Sequence, residues 1–215
     1  MLRGKKILIT AGPTWVPIDQ VRVISNISSG EMGLLLASRA SSLGMKVDLL
    51  LGPVGSVDIS GSISVSRFKY FDELLGLIKT KLKEKKYDYI LHAAAVSDYL
   101  TRPVSGKISS QQKKLILSLD RAPKIIETIR RLAPRALLVM FKLETNVTDP
   151  ILLKRALEAM KDTKADLAVA NTFVSGRYRS FILGAKDILA KPRSKKELSV
   201  DLFEVMKEMA NSPLA

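Results

Sequence analysis

Lys6-Ile7-Leu8-Ile9-Thr10 and, across a long polar loop, Ile24-Ser25-Asn26-Ile27-Ser28-Ser29-Gly30-Glu31-Met32-Gly33 decide the reading of this chain. The first run is a buried strand. The second ends by opening an apolar-periodic helix, Gly30–Leu43, with Met32, Leu35, Leu36, Ala40 and Leu43 on one face. Ser28 or Ser29 is the expected N-cap and Gly44 the C-terminal stop. The first amides of a helix have no intrahelical partner and its dipole favours negative charge there, so small residues at this start suit a phosphate. The dinucleotide fingerprint, a glycine-rich tight turn directly after the strand, is absent. The long intervening loop points to a site built for something other than simple dinucleotide docking.

Strand and helix patterns alternate onward from this point. Lys46–Leu51 reads as a strand closed by Gly52-Pro53, Ser62–Phe68 as a short alternating strand, and Phe71–Lys85 as an amphipathic helix. Tyr87–Ala95, Leu115–Leu119, Ala136–Leu143 and Asp166–Ala170 are further strand candidates. Helices are expected from Pro123, from an Asp149-Pro150 cap, and from the capping box Ser194-Lys195-Lys196-Glu197. Phe181–Ala185 and Asp187–Lys191 form a terminal hairpin. This order predicts an α/β, Rossmann-like, mostly parallel sheet with helices on both faces and a C-terminal hairpin, in one domain spanning residues 1–215.

Composition narrows the chemistry. The 215 residues include no cysteine, which excludes disulfides, thiolate metal sites and cysteine nucleophiles. No apolar run is long enough for a membrane span and no signal peptide precedes the first strand, so a cytoplasmic protein is expected. The net charge of +14 suits anionic partners. The basic residues are spread along the chain without interleaved aromatics, which argues against nucleic acid as the main partner. His92, the one histidine, lies in a strand pattern and reads as a satisfied, mostly buried side chain; a zinc site is improbable.

In sheets of this class ligands bind beyond the carboxyl ends of the strands. Four polar segments fall there: the loop Ala11–Gly33, the loop Ser97–Lys113, the run Phe141–Asn146, and Asn171 with the residues after it. Two loops of this length at one sheet edge indicate a binding site.

The residues in these segments resemble a known family. Ala11-Gly12-Pro13-Thr14, Pro17-Ile18-Asp19, Val21-Arg22, Ile24-Ser25-Asn26, Ser28-Ser29-Gly30 and Met32-Gly33 are similar to phosphopantothenoylcysteine synthetase, the phosphopantothenate–cysteine ligase of coenzyme A biosynthesis. Ala93-Ala94-Ala95-Val96-Ser97-Asp98-Tyr99, Lys107-Ile108, Phe141-Lys142-Leu143-Glu144-Thr145 and Asp166–Asn171 continue the resemblance in the family's order. In many bacteria this domain is fused behind a flavin-dependent decarboxylase; here the expectation is a stand-alone synthetase, with a separate decarboxylase as a possible associate.

The resemblance implies that 4′-phosphopantothenate attacks the α-phosphate of CTP or ATP, with Mg²⁺ on the triphosphate, and that cysteine then displaces the nucleotide. It assigns Asn26 to the acyl-nucleotidylate, Arg22 to the same intermediate, and Lys107 to a flap closing over the triphosphate; these are the expected catalytic residues. Gly12, Ser28, Ser29, Gly30, Gly33, Ala94, Asp98 and Phe141 are assigned to nucleotide binding, with Lys107 again and with Lys161 and Lys164 as the nearest matches to a pair of helix lysines. No metal ligands are identified. The family is typically dimeric, so a homodimer is implied, with the hairpin Phe181–Lys191 as the candidate pairing element.

The chain departs from the family pattern at several positions. Glu31 stands where lysine is common, Trp15-Val16 replaces Arg-Glu, Ser109 and Ser110 replace flap lysines, Lys124 replaces the aspartate after Pro123, and Thr172 replaces an aspartate. Two other readings compete with the ligase: an NAD(P)-dependent reductase on the same general fold, and a nonenzymatic basic nucleotide-binding protein. The reductase lacks its glycine-rich turn after the first strand and its acidic residue after the second.

Overall fold

The computed structural model describes residues 2–59, 61–111, 113–174 and 177–211; Met1 and Gln112 of the long loop lie outside them. The elements run β1 Lys6–Ala11, β2 Trp15–Pro17, β3 Val23–Ser25, α1 Glu31–Ser42, β4 Lys46–Leu51, β5 Ile63–Arg67, α2 Phe71–Glu84, β6 Tyr89–His92, β7 Tyr99–Leu100, β8 Asp120–Arg121, α3 Ile125–Leu132, β9 Leu137–Thr145, α4 Asp149–Thr163, β10 Leu167–Val174, β11 Arg177–Leu183, β12 Ile188–Ala190 and α5 Lys195–Asn211.

Eight strands form one sheet in the order β12-β11-β10-β9-β6-β1-β4-β5. The chain builds outward from β1 through β4 to β5, returns to the other side of β1 as β6, and builds outward again through β9 and β10, all in parallel. β11 and β12 then close the sheet antiparallel. This is the doubly wound order whose direction reverses between β1 and β6, where a crevice opens beyond the carboxyl ends of the two strands.

Period-2 alternation sorts the strand residues onto two cores. Ile7, Ile9 and Leu91 face α1 and α5, packing with Leu36, Ala40, Leu202 and Phe203. Leu8, Ile90 and Leu138 face α2, α3 and α4, packing with Leu74, Ile78, Ile129 and Leu152. Both layers are predominantly apolar, which explains why the strands read as near-continuous hydrophobic runs; Asp48 on β4 is a buried charge among them, with Lys81, Lys85 and Tyr87 as partners. No described helix is long and apolar enough to cross a membrane.

Local chemistry sets the boundaries and corrects several expectations. The N-cap of α1 is Gly30, in the left-handed region at φ 71°, and not a serine. Ser28 Oγ accepts from the Gly30 amide and Ser29 Oγ from the Glu31 amide, so the two hydroxyls shape the approach to the helix. α1 ends as expected at Gly44, whose amide donates to Ser41 O while that of Met45 donates to Ala40 O, a Schellman closure. Thr148, not Asp149, is the cap position of α4, and Asp149 turns instead to Arg179, 3.2 Å away. Half of the expected box at α5 forms: Ser194 Oγ accepts from Glu197 N, but the Glu197 carboxylate accepts from Arg193 N, one residue before the cap, and not from Ser194 N.

Two strand expectations shrink. Tyr87–Ala95 is a strand only over Tyr89–His92, because the Ala94 amide turns to Thr10 Oγ1; Ala95 resumes contact as a single bridge to Pro13. Leu115–Leu119 is not a strand. Its aliphatic side chains stay largely exposed, Ile116 by 77%, and pairing is taken over by Asp120–Arg121 against Tyr99–Leu100. The first polar loop holds a ribbon that the pattern did not indicate, β2 against β3.

Candidate active site

Two cavities flank the segment Ala93–Ala95 beyond the ends of β1 and β6. The larger, about 600 Å³, lies on the α3/α4 side and includes Asn26, Asp98, Ile126, Met140, Phe141 and Ala159 in its lining. The second, about 440 Å³, lies over the start of α1 and includes Ser28, Gly30, Gly33, Phe141, Asn171 and Lys195. Ala94 and Phe141 line both, so Phe141, packed against the edge of the core, is also a wall shared by the two cavities.

The start of α1 sits against the end of β1 because Gly33 has no side chain: a Cβ there would lie 2.3 Å from Ala11 Cβ. Among the described residues the amides of Met32 and Gly33 find no partner, leaving two donors at the positive end of the helix. Gly12, at φ 78°, does not line either cavity. A Cβ there would lie 3.1 Å from Val54 Cγ1 and 3.2 Å from the Gly52 backbone, so the residue's part is the close-packed turn beneath the helix start.

Sequence reasoning missed Lys195. It lies at the start of α5 and reaches the Glu31 carboxylate at 2.5 Å, within 5.9 Å of the Phe173 ring centroid. Glu31 had removed a lysine from the helix start; the fold sets an ammonium beside it from the other end of the chain. The only hint in the sequence is the charge reversal at position 31. Nearby, Asn171 Oδ1 and the Tyr178 hydroxyl are buried without a hydrogen-bond partner among the described residues, and burial pushes the Tyr178 hydroxyl pKa up.

Asn26 borders the larger cavity, and its amide nitrogen donates to Ala95 O and Val96 O at 3.2 and 3.1 Å. Those bonds tie the first loop to the end of β6 and leave Oδ1, an acceptor, as the free face of the amide. Asp98 also lines this cavity, ion-paired to Lys124 at 2.5 Å, so the unusual lysine after Pro123 partly neutralises the expected nucleotide contact. Lys142 lies on the wall, 3.2 Å from Glu144. Burial alone would raise the Glu144 carboxyl, but Lys142 and Arg155 hold it below the usual range.

Arg22 and Lys107 stand outside both cavities. Arg22 donates to Asp19 at 2.6 Å and to Ile108 O at 3.2 Å. The Asp19 carboxylate also accepts from the amides of Val21, Arg22 and Ile108. Burial would raise its pKa, yet these backbone bonds and the guanidinium hold it low. One carboxylate therefore knots the first loop to the base of the second, and exposed Lys107 sits beside the knot. A separate cavity of about 420 Å³ lies next to it, lined by Ile18, Val104, Ile108 and Leu115–Leu117. Lys161 is exposed on α4, and Lys164, the left-handed C-cap of α4, lines another cavity with Arg130 and Arg131; neither borders the cleft.

No group of three or more His, Asp or Glu side chains able to hold a metal occurs among the described residues. These residues do not build a resident metal site.

A family described as the DNA/pantothenate metabolism flavoprotein C-terminal domain matches residues 2–208. The chain is 37% identical over 215 residues to the coenzyme A biosynthesis bifunctional protein CoaBC of Thermococcus kodakarensis, covering 97% of this chain and 52% of that protein. It is 31% identical over 214 residues to CoaBC of Methanocaldococcus jannaschii, with the same coverage of 97% and 52%. It thus spans about half the length of these curated relatives. The crystal structure of the DNA/pantothenate metabolism flavoprotein from Streptococcus pneumoniae superposes with a TM-score of 0.86 at 25% identity, covering 96% of this chain and 100% of that one.

Proposed function

The chain belongs to the DNA/pantothenate metabolism flavoprotein C-terminal domain family, and from that premise we propose that it is a single phosphopantothenate–cysteine ligase domain. The observation that carries this reading is the cleft at the β1/β6 reversal, where the resembling segments from four separate stretches meet around two connected cavities. One side offers orphan helix amides for an anion and the other an apolar slot with a charged rim for a nucleotide.

A carboxylate oxygen of 4′-phosphopantothenate bonds to the α-phosphorus of CTP or ATP, and the bond to the β-phosphate oxygen breaks, its electron pair leaving with pyrophosphate. The amine of cysteine then bonds to the acyl carbon, the nucleoside monophosphate leaves with the electron pair of the carbon–oxygen bond, and the amine loses a proton. Catalysis rests on holding anionic pieces in line and neutralising charge at the α-phosphate. Mg²⁺ held by the triphosphate oxygens would offset their charge during the displacement.

Asn26 is positioned at the acyl-nucleotidylate through its bonds to Ala95 and Val96. Arg22 acts through the Asp19 knot, and Lys107 is carried beside it to close toward the triphosphate. Ser28, Ser29, Gly30, Gly33, Ala94, Asp98 and Phe141 serve nucleotide and phosphate binding from the cavity walls. Lys161 and Lys164 would have to approach from outside the cleft. The protein acts in the cytoplasm as a homodimer, with a flavin-dependent decarboxylase consuming its product. The exposed aliphatic run Leu115–Leu119 is better suited to cover by a second copy than the hairpin β11–β12.

The test is pyrophosphate release with 4′-phosphopantothenate, cysteine and Mg²⁺, comparing CTP with ATP and setting Asn26→Ala and Lys107→Ala beside the wild type. Release that depends on phosphopantothenate and is reduced in both variants supports the assignment. No release with either triphosphate overturns it.

A further inference from the structure

We propose that His92 is a fixed hydrogen-bond donor to a neutral acceptor on the nucleobase of the bound nucleotide, and that Thr10 is the positioning residue that sets its tautomer. The inference rests on the ligase reading above.

Thr10 and His92 are register partners on β1 and β6, the strand pair at which the sheet order reverses. Thr10 Oγ1 lies 2.9 Å from His92 Nδ1 and accepts from the Ala94 amide at 3.1 Å. If Nδ1 carried the ring proton, it would donate to Oγ1 and the hydroxyl proton would need a further acceptor; the described residues supply none. The hydroxyl therefore donates to Nδ1, and the ring proton sits on Nε2. No described residue accepts from Nε2, and the ring lines the larger cavity. Sequence pattern indicated a satisfied core histidine, and only one of its two nitrogens is satisfied by the protein.

The surroundings favour a base over a phosphate. His92 shares the wall with Ile126, Met140 and Ala159; of the charged side chains lining the cavity, Lys124 and Lys142 are already paired, with Asp98 and Glu144, and Arg121, Glu127 and Asp162 stand without an ion-pair partner among the described residues. Burial lowers the His92 pKa to about 4, so at neutral pH the ring is an uncharged donor. An uncharged N–H among apolar walls matches a ring nitrogen or carbonyl of a flat base; a phosphate calls for cations.

His92 is the only histidine in the chain, so its imidazole nitrogens are observable without overlap by nitrogen-15 NMR. The full-length wild type at neutral pH is expected to show the Nε2–H tautomer. Both nitrogen signals should move on adding CMP or AMP and stay in place with inorganic tripolyphosphate. Thr10→Val should relax the ring to mixed tautomers and Thr10→Ser should restore it. His92→Leu should raise the nucleotide KM about tenfold, the scale of one hydrogen bond, with the loss on KM and not on kcat, and His92→Gln should recover much of it.

A ring in the Nδ1–H form, or signals unmoved by the monophosphate of whichever triphosphate supports pyrophosphate release, overturns the inference while the ligase reading stands. A response to tripolyphosphate equal to that to CMP or AMP overturns the base assignment. Absence of both release and nucleotide binding sinks the two together.

Discussion

Gly33→Ala tests the join between the fold and the cleft. The new methyl would lie 2.3 Å from Ala11 Cβ and 3.1 Å from Ala11 Cα, where carbon atoms pack at about 3.5–4.0 Å. The start of α1 must therefore retreat by roughly 1 Å or more, since the end of β1 is held between β4 and β6. Overpacking of this kind costs about 1–3 kcal/mol. For a chain of this size each kcal/mol moves the melting temperature by about 2–4 °C. The same retreat displaces the helix amides and serines that line the cavity, and a misplacement of about 1 Å can cost on the order of a hundredfold in rate. Gly76→Ala is the internal control. It sits on the exposed face of α2 with open space where its Cβ would be, and should gain about 0.5–1 kcal/mol without touching activity. Urea unfolding and pyrophosphate release on the three proteins decide the matter. A Gly33→Ala protein that unfolds at the wild-type midpoint and releases pyrophosphate at the wild-type rate would refute the close-packing argument.

Two further outcomes follow from charge. Between pH 6.5 and about 4 the unfolded chain binds a proton at His92 that the folded chain refuses, so the stabilisation is complete above pH 6.5 and falls on acidification by about 3 kcal/mol. Urea midpoints measured from pH 7 to 4.5 should show this slope for the wild type and lose it in His92→Gln; parallel curves would contradict the buried neutral ring. Lys195→Ala leaves Glu31 unpaired beside the helix amides and should weaken binding of anionic substrate several-fold, on the scale of a partly exposed ion pair. The added change Glu31→Ala should restore most of that binding, and a double variant no better than Lys195→Ala would remove the coupling.

The alternation of strand and helix patterns was enough to read the parallel sheet, because each buried strand carries its own apolar run. The long polar loops marked the site edge for the same reason: polar segments of that length cannot be core. Sequence failed where partners decide. Leu115–Leu119 has strand-forming side chains but no neighbouring strand among the described residues, and pattern alone does not register that lack. Glu31 and Lys195 lie 164 residues apart, and Asp19 and Ile108 lie 89 apart, so neither contact leaves a local signal. The N-cap of α1 went to Gly30 and not to its serines because only glycine takes the left-handed turn into the helix without strain, and serine spacing carries no φ information. Lys161 and Lys164 are only the nearest matches to a pair of helix lysines, and neither lines the cleft: Lys161 is exposed on α4 and Lys164 caps its far end.

The Asp19 knot also has a thermodynamic meaning. One buried carboxylate, receiving three amides and a guanidinium, fixes the turn at 19–22 against the second loop at Ile108. Immobilising backbone costs about 1–2 kcal/mol per residue in conformational entropy, and here that cost is met when the chain folds. A ligand arriving at the cleft finds these two loops already registered to each other, and more of its interaction energy remains as affinity.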